Sequence, residues 1–198
     1  MKLHNILGKE LNAPEGWQDI TIYKYKQIME LMVKSTSDGI LLIPHEQFMI
    51  EHCSVLLDVD PYFFYDADID DETINILVEI MKPFNIKMPV EKADCFRING
   101  TLYSYNVPDK LTFGEQMSIK LLESHSETVF DSWLNLLTIL VRPAQEVVDR
   151  EFGTTEYIVG KFKVEDADKL LKRRDLFKSL PAGPAYWIIQ AFQDGRKN

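Results

Sequence analysis

The sequence predicts an α+β fold that is mostly α-helical: a single domain of about six or seven helices with one small antiparallel β-hairpin at about residues 94–106. Two observations predict the helices. Apolar residues recur at steps of about three and four over most of the chain, and helix-start devices stand in front of several of these stretches. The third observation predicts the hairpin. Asn99-Gly100 lies between two alternating runs, and both residues tolerate the positive φ of a two-residue type I′ turn.

Residues 1–18 are polar, with Pro14, Gly16 and then Trp17, and predict an N-terminal arm ending in an aromatic anchor. The globular domain then runs over 19–198. Asp19-Ile20-Thr21 starts a helix whose stripe is Ile22, Tyr25, Ile28, Met29, Met32 and Val33, and Ser35 to Gly39 breaks it. Pro44 suits the first turn of a second helix over about His45–Leu57. His52 shares a face there with Phe48, Val55 and Leu56, so a hydrogen-bonded place at the core edge is expected rather than a metal site. Four His and two Cys, all scattered, offer no zinc-type spacing.

Tyr62, Phe63, Phe64 and Tyr65 stand in a row between acidic residues. Such a run either drops two rings into the core or forms a docking patch for a partner. If extended, it points Phe63 and Phe64 to opposite faces. These four, with Trp17 and Trp187 as outliers, are the candidate partner-binding residues. The acidic run Asp66 to Glu72 matches positions 1, 3 and 5 of a calcium loop but has Asp71 and Leu77 where the loop needs Gly and Glu. Carboxylates at a helix N-terminus explain it better. Ile74, Leu77, Val78 and Met81 are the stripe of that helix, and Lys82-Pro83 ends it.

In the hairpin the two-residue loop sets Ile98 opposite Thr101 and Phe96 opposite Tyr103. Those residues share an aromatic, buried face with Tyr105, leaving Arg97, Leu102 and Ser104 on the other. After Pro108-Asp109-Lys110, Thr112 and Glu115 form a capping-box pattern, with Met117, Leu121 and Leu122 following at helical spacing. Leu111-Thr112-Phe113 repeats the device of Ile20-Thr21-Ile22, an apolar residue on each side of a capping Thr. The next helix carries Phe130, Trp133, Leu134, Leu137 and Val141 and ends near Arg142, because Pro143 disfavours α conformation before it. It is apolar over more than one face and belongs at the centre of the core. Phe152-Gly153-Thr154-Thr155 suggests a loop, and Tyr157 to Val164 is ambiguous. Ala167, Leu170, Leu171, Arg174 and Phe177 mark another helix, stopped by Leu180-Pro181. After Pro184 the last helix carries Trp187, Ile188 and Phe192.

Composition narrows the function classes. A formal net charge of −9 over 198 residues opposes nonspecific nucleic-acid binding. The basic runs Lys172-Arg173-Arg174 and Arg196-Lys197 suit a solvated helix face and a chain end. Cys53 and Cys95 lack CxxC spacing, which suits a reduced cytoplasm. No signal peptide or membrane span is expected. Gly153 and Gly160 lack the Lys-Ser/Thr pair of a phosphate loop, and there is no G-x-S-x-G elbow. No catalytic residue, cofactor or metal is therefore expected.

Three pieces carry a resemblance. Trp17-Gln18-Asp19-Ile20-Thr21 opens the first helix. Ile98 to Tyr103 is followed by Leu111-Thr112-Phe113-Gly114-Glu115. Leu137 to Pro143 ends in Val-Arg-Pro, with Arg173 or Arg174, Phe177, Leu180 and Pro181 further on. In order and spacing these resemble a family of tailed-bacteriophage proteins described as tail-assembly chaperones or virion components. The resemblance implies a non-enzymatic assembly factor that binds other phage structural proteins, or a permanent virion component such as a connector, tail or capsid-associated part. A small enzyme is the remote alternative. It further implies location in the host cytoplasm during assembly or in the virion, with a homo-oligomer as one option.

Overall fold

A computed structural model describes residues 1–37, 40–106, 111–128, 130–149 and 154–195. Pro108-Asp109-Lys110, the end of the helix-breaking stretch at Gly39, Phe152-Gly153 and Arg196-Lys197 lie outside these. The chain divides into two compact units, Met1–Pro89 and Val90–Asn198.

The first unit opens with strands β1 (Lys2–Ile6) and β2 (Lys9–Ala13), paired antiparallel. The residues expected to form a polar arm are therefore a hairpin. Its turn is Leu7-Gly8, both at positive φ (51° and 77°), a conformation that glycine adopts at no steric cost. Ile6, Leu11 and Ala13 are buried, so one face of the hairpin reaches the core. Helix α1 (Ile22–Ser35) follows, with Thr21 Oγ1 accepting from the Lys24 amide at 3.2 Å. Its inner face buries Ile22 and Ile28, while Met32 and Val33, expected on the inner stripe, are exposed. Strands β3 (Thr36–Ser37) and β4 (Ile40–Leu41) make a two-residue hairpin before α2 (His45–Leu57). Asp58, at φ 55°, ends α2 in the left-handed conformation and ion-pairs with Lys24 at 2.7 Å. The short α3 (Tyr62–Tyr65) leads to α4 (Asp71–Met81), which Asp70 caps through the Thr73 amide at 2.8 Å. α4 buries Thr73, Leu77 and Ile80, so its inner face is rotated from the expected Ile74-Leu77-Val78-Met81 stripe.

The second unit holds β5 (Phe96–Ile98) and β6 (Thr101–Tyr105) in the register the Asn-Gly turn dictates, Ile98 opposite Thr101 and Phe96 opposite Tyr103. Asn99 and Gly100 are both at positive φ, 48° and 77°. Helix α5 (Phe113–Glu123) follows, then α6 (Asp131–Leu140), which buries Leu134, Leu137, Ile139 and Leu140. At Val141 the chain leaves α6 and continues directly as β7 (Val141–Asp149), pairing with β6 and then with β8 (Thr154–Val159). Two helices close the unit, α7 (Ala167–Phe177) and α8 (Ala182–Gly195). Phe177 meets Tyr103 edge-on at 5.3 Å, and Trp187 lies against Tyr105 at 5.5 Å.

The expected fold class is thus corrected. The described residues hold eight α-helices and three antiparallel sheets of two, two and four strands, not one small hairpin. The physical reason is clearest at β7–β8. Pro143 ends helical conformation before it, and Val147, Val148, Thr154, Thr155, Tyr157, Ile158 and Val159 favour a pleated surface. β7 extends the hairpin along the β6 edge, and the hairpin's second face is covered as well. Ser104, expected outward, is 4% exposed and donates to the Asp94 carbonyl at 2.6 Å.

The capping box at α5 is complete. Thr112 Oγ1 accepts from the Glu115 amide at 3.3 Å, and Glu115 Oε2 accepts from the Thr112 amide at 2.7 Å and hydroxyl at 2.8 Å. Replacing Thr112 with Val removes the acceptor and keeps the shape, which should cost about 1 kcal/mol in urea unfolding. An unchanged midpoint would show that the cap contributes nothing to stability.

Candidate functional site

The aromatic run Tyr62–Tyr65 is a helical turn rather than an extended segment. Asp60 starts it, its carboxylate accepting from the Tyr62 amide at 2.9 Å. One turn of helix spreads the four side chains around an axis, so Phe63 and Phe64 do not point to opposite faces. Phe64 is fully buried; Phe63 is half-buried, edge-on to Phe64 at 5.0 Å, with the Lys9 ammonium 5.4 Å above its ring. Tyr62 and Tyr65 are exposed with rings 6.1 Å apart, and the Tyr65 hydroxyl donates to Glu51 at 3.3 Å.

The outlying tryptophans serve packing. Trp17 donates its indole N–H to the Ile86 carbonyl at 2.9 Å and meets Tyr25 and Phe84 edge-on. Trp187, besides Tyr105, lies under the Lys92 ammonium at 5.9 Å. Of the six residues singled out as partner-binding, Tyr62 and Tyr65 present open surface together. Phe64 is core, and Phe63, Trp17 and Trp187 are half-buried in ring contacts.

The acidic run behaves as a helix start. Asp70 is held below the usual carboxylate range by hydrogen bonds from the Thr73 side chain and amide. Among the described residues no three His, Cys, Asp or Glu side chains come together as a metal-binding group, and no helix is long and apolar enough to cross a membrane.

A heavily bonded polar node lies in the second unit. Arg142, at the junction of α6 and β7, is 6% exposed and donates Nη2 to Glu115 Oε1 at 2.9 Å. Its Nε donates to the Ile139 carbonyl and its Nη1 to the Gly160 carbonyl, each at 3.2 Å, and its guanidinium lies 5.7 Å from the Phe162 ring centre. Burial pulls its pKa below the usual value and the Glu115 charge opposes this, while nearby Arg173 adds to the lowering. Arg173 is itself bonded to Glu165 and to the Thr138 carbonyl. A cavity of about 640 Å³ opens beside the pair, lined among others by Tyr105, Asn106, Tyr157 and Lys161. Glu115 spends both oxygens on Thr112 and Arg142. The node therefore acts as a fastener. Sequence reasoning missed this partnership, although Arg142 closes the apolar run Trp133–Val141, and a cation in that position needs a buried acceptor.

The second missed feature is the outer face of α5. Met117, Leu121 and Leu122 recur at helical spacing, but they do not share the buried face. The structure buries Glu115, Ser118 and Leu122 instead. Phe113, Met117 and Leu121, spaced by four residues, are 78%, 48% and 36% exposed. A separate 440 Å³ groove, on the flank of α5 that carries Gln116, Ile119, Lys120 and Glu123, is also lined by Leu111, Trp133, Leu136 and Phe192. The face is set from a distance: Arg142 draws Glu115 inward, and Ser118 follows it at i+3.

Two buried groups in the first unit carry shifted pKa values. Burial pushes the Cys53 thiol up to about 12, and its sulfur donates to the Leu77 carbonyl at 3.5 Å. His52 is buried and meets Phe48 edge-on at 5.6 Å, but neither ring nitrogen has a hydrogen-bond partner, contrary to expectation. Its ring packs against Phe48 inside the core rather than at a polar edge.

Compared with protein-family models, curated proteins and solved structures, the chain matches none.

Burial lowers the His52 pKa to about 4, whereas the unfolded chain binds this proton near an ordinary value of about 6.5. His52 thus contributes fully above about pH 6.5. Between the two values the unfolded chain takes up the proton and stability falls as the pH falls. The loss should approach about 3 kcal/mol at pH 4. Urea unfolding at pH 7 and pH 4.5 should show a smaller acid loss for His52→Met than for the parent chain. Equal losses would mean that His52 is protonated without cost in the fold.

Proposed function

We propose that this protein is a non-enzymatic assembly factor that binds tail or other virion subunits of a tailed bacteriophage, acting in the host cytoplasm. The phage context rests on the resemblance of Trp17–Thr21, Ile98–Glu115 and Leu137–Pro143 with the helices that follow them. The binding role rests on one structural observation, the exposed stripe Phe113-Met117-Leu121 on α5, whose other flank lines the groove at Trp133 and Phe192. An apolar stripe facing water on a packed helix marks an interaction surface, because monomeric proteins rarely leave such area contiguous. A partner helix could bury apolar anchors at i, i+3 and i+4 against the stripe. Gln116 and Lys120, polar neighbours on α5, would supply orientation rather than most of the binding energy.

A permanent place in the particle is the second reading. The outer part of β7–β8 favours it: Val147, Val148 and Ile158 are exposed there, a surface more at home in a lasting assembly. Mass spectrometry of purified mature particles separates the two, because an assembly factor leaves and a structural subunit stays.

Met117→Glu places a charge at the centre of the stripe on a half-exposed position, so the fold should change by less than about 0.5 kcal/mol. Co-purification with the products of neighbouring structural genes should be lost. A folded Met117→Glu variant that keeps every partner would show that α5 is not the binding surface.

A further inference from the structure

We infer that β8 is a self-association edge: two copies of this chain pair β8 against β8, antiparallel, about a two-fold axis at Tyr157. The inference goes beyond the binding of other virion subunits and does not depend on it.

The ribbon is unfinished in the single chain. β6 pairs with β7 only at Val141, Arg142 and Pro143. Beyond that point Ala144–Asp149 and Thr154–Val159 pair with each other alone. Directly paired residues share a face, so Val147 and Ile158 lie on one face of the ribbon and Val148 on the other. These three are 38%, 56% and 55% exposed. A two-stranded ribbon with apolar side chains in water on both faces is marginal unless something extends it.

The edge itself is open. β8 ends the order β5-β6-β7-β8. The Gly160 amide donates to the Pro143 carbonyl at 3.3 Å, which sets the phase of the ladder. Alternate residues then turn outward, so Thr155, Tyr157 and Val159 aim their backbone N–H and C=O groups away from β7. Among the described residues none of these groups has another backbone partner. Soluble proteins blunt such edges with Lys, Pro, bulges or covering loops. Thr154-Thr155-Glu156-Tyr157-Ile158-Val159 has no Lys, Pro or Gly, and five of its six residues are good strand formers.

Charge permits a second copy and rules out one register, and the span of the strand centres the axis on Tyr157. The second unit carries fifteen Lys and Arg against sixteen Asp and Glu, a net −1, while the first carries seven Lys against fifteen Asp and Glu, a net −8. Copies joining through β8 therefore meet through the nearly neutral unit. In an antiparallel ladder, opposite residues must have the same phase. A two-fold axis at Glu156 would set that carboxylate against its own copy, which is destabilising. An axis at Tyr157 sets Tyr157 against the partner's Tyr157, Glu156 against the partner's Ile158 and Thr155 against the partner's Val159. The carboxylates are kept apart and the β-branched residues meet. Five residue pairs make a small interface, so the dimer is weak and reversible.

The test is sedimentation equilibrium of the full chain over a wide concentration range. The parent chain should shift from monomer to dimer as concentration rises. Thr155→Val keeps the outward N–H and should dimerise alike. Thr155→Pro removes that N–H while leaving the β7 ladder, since a proline is tolerated where the N–H faces solvent, and should stay monomeric with an unchanged circular dichroism melt. Because Thr155→Pro could also disturb the ribbon, register is read independently in a Cys95→Ser background, Cys95 lying beside Tyr157. There Tyr157→Cys should cross-link to itself on mild oxidation and Thr154→Cys should not. A parent chain that is monomeric throughout, or a folded Thr155→Pro that dimerises as the parent does, overturns the edge; dimers in which Thr154→Cys cross-links in preference to Tyr157→Cys overturn the two-fold at Tyr157.

Discussion

The buried contact between Glu115 and Arg142 holds the second unit in register. One carboxylate does two jobs. Oε2 completes the cap that starts α5, and Oε1 receives Arg142 at the point where α6 gives way to β7. The guanidinium in turn holds the last turn of α6 through Ile139 and the exit of β8 through Gly160. Helix start, helix end and strand exit thus meet at one ion pair. Taking both charges out of water is costly, and their attraction offsets that cost only because the other donors and acceptors are matched as well. Removing either partner alone should leave an uncompensated buried charge, at a cost of about 3–5 kcal/mol.

This arrangement explains where the apolar surface ends up. Once Glu115 must face inward to meet Arg142, Ser118 and Leu122 follow it to the inner side of α5. Phe113, Met117 and Leu121 are then turned to solvent. Gly114 fits the same geometry, because a Cβ there would stand 2.9 Å from the Val164 side chain. The binding surface is in this sense a consequence of the fastener. The rings that looked like binding anchors are mostly used elsewhere: Phe64 fills the core of the first unit, and Trp17 ties its chain to Ile86.

Local signals in the sequence proved readable where the chemistry is local. Thr112 with Glu115, Asp70 ahead of α4 and Asn99-Gly100 are complete within a few residues, and the structure realises each. Features set by distant partners were not readable. Leu7-Gly8 is a weak turn signal, so β1 and β2 resembled a polar arm until their core-facing Ile6 and Leu11 were placed. β7 and β8 carry charges among their β-branched residues, which hid their alternation. The run Tyr62–Tyr65 suits a strand or a turn by its composition, and the Asp60 carboxylate on the Tyr62 amide settles it as a turn. The side of α5 that faces the core is decided by Arg142, 27 residues further on, and no periodicity within α5 reports it.

The central claim is that Glu115 and Arg142 act as one unit. A double-mutant cycle with Glu115→Gln, Arg142→Met and the combined variant measures it. Urea unfolding would be followed by the fluorescence of Trp133 and Trp187 in a Trp17→Phe background, which confines the signal to the second unit. Each single variant should be strongly destabilised, and the pair should lose less than the sum, with a coupling of about 2–3 kcal/mol. Additive losses, with coupling near zero, would contradict the account and reduce the contact to a bystander of a fold held by other forces.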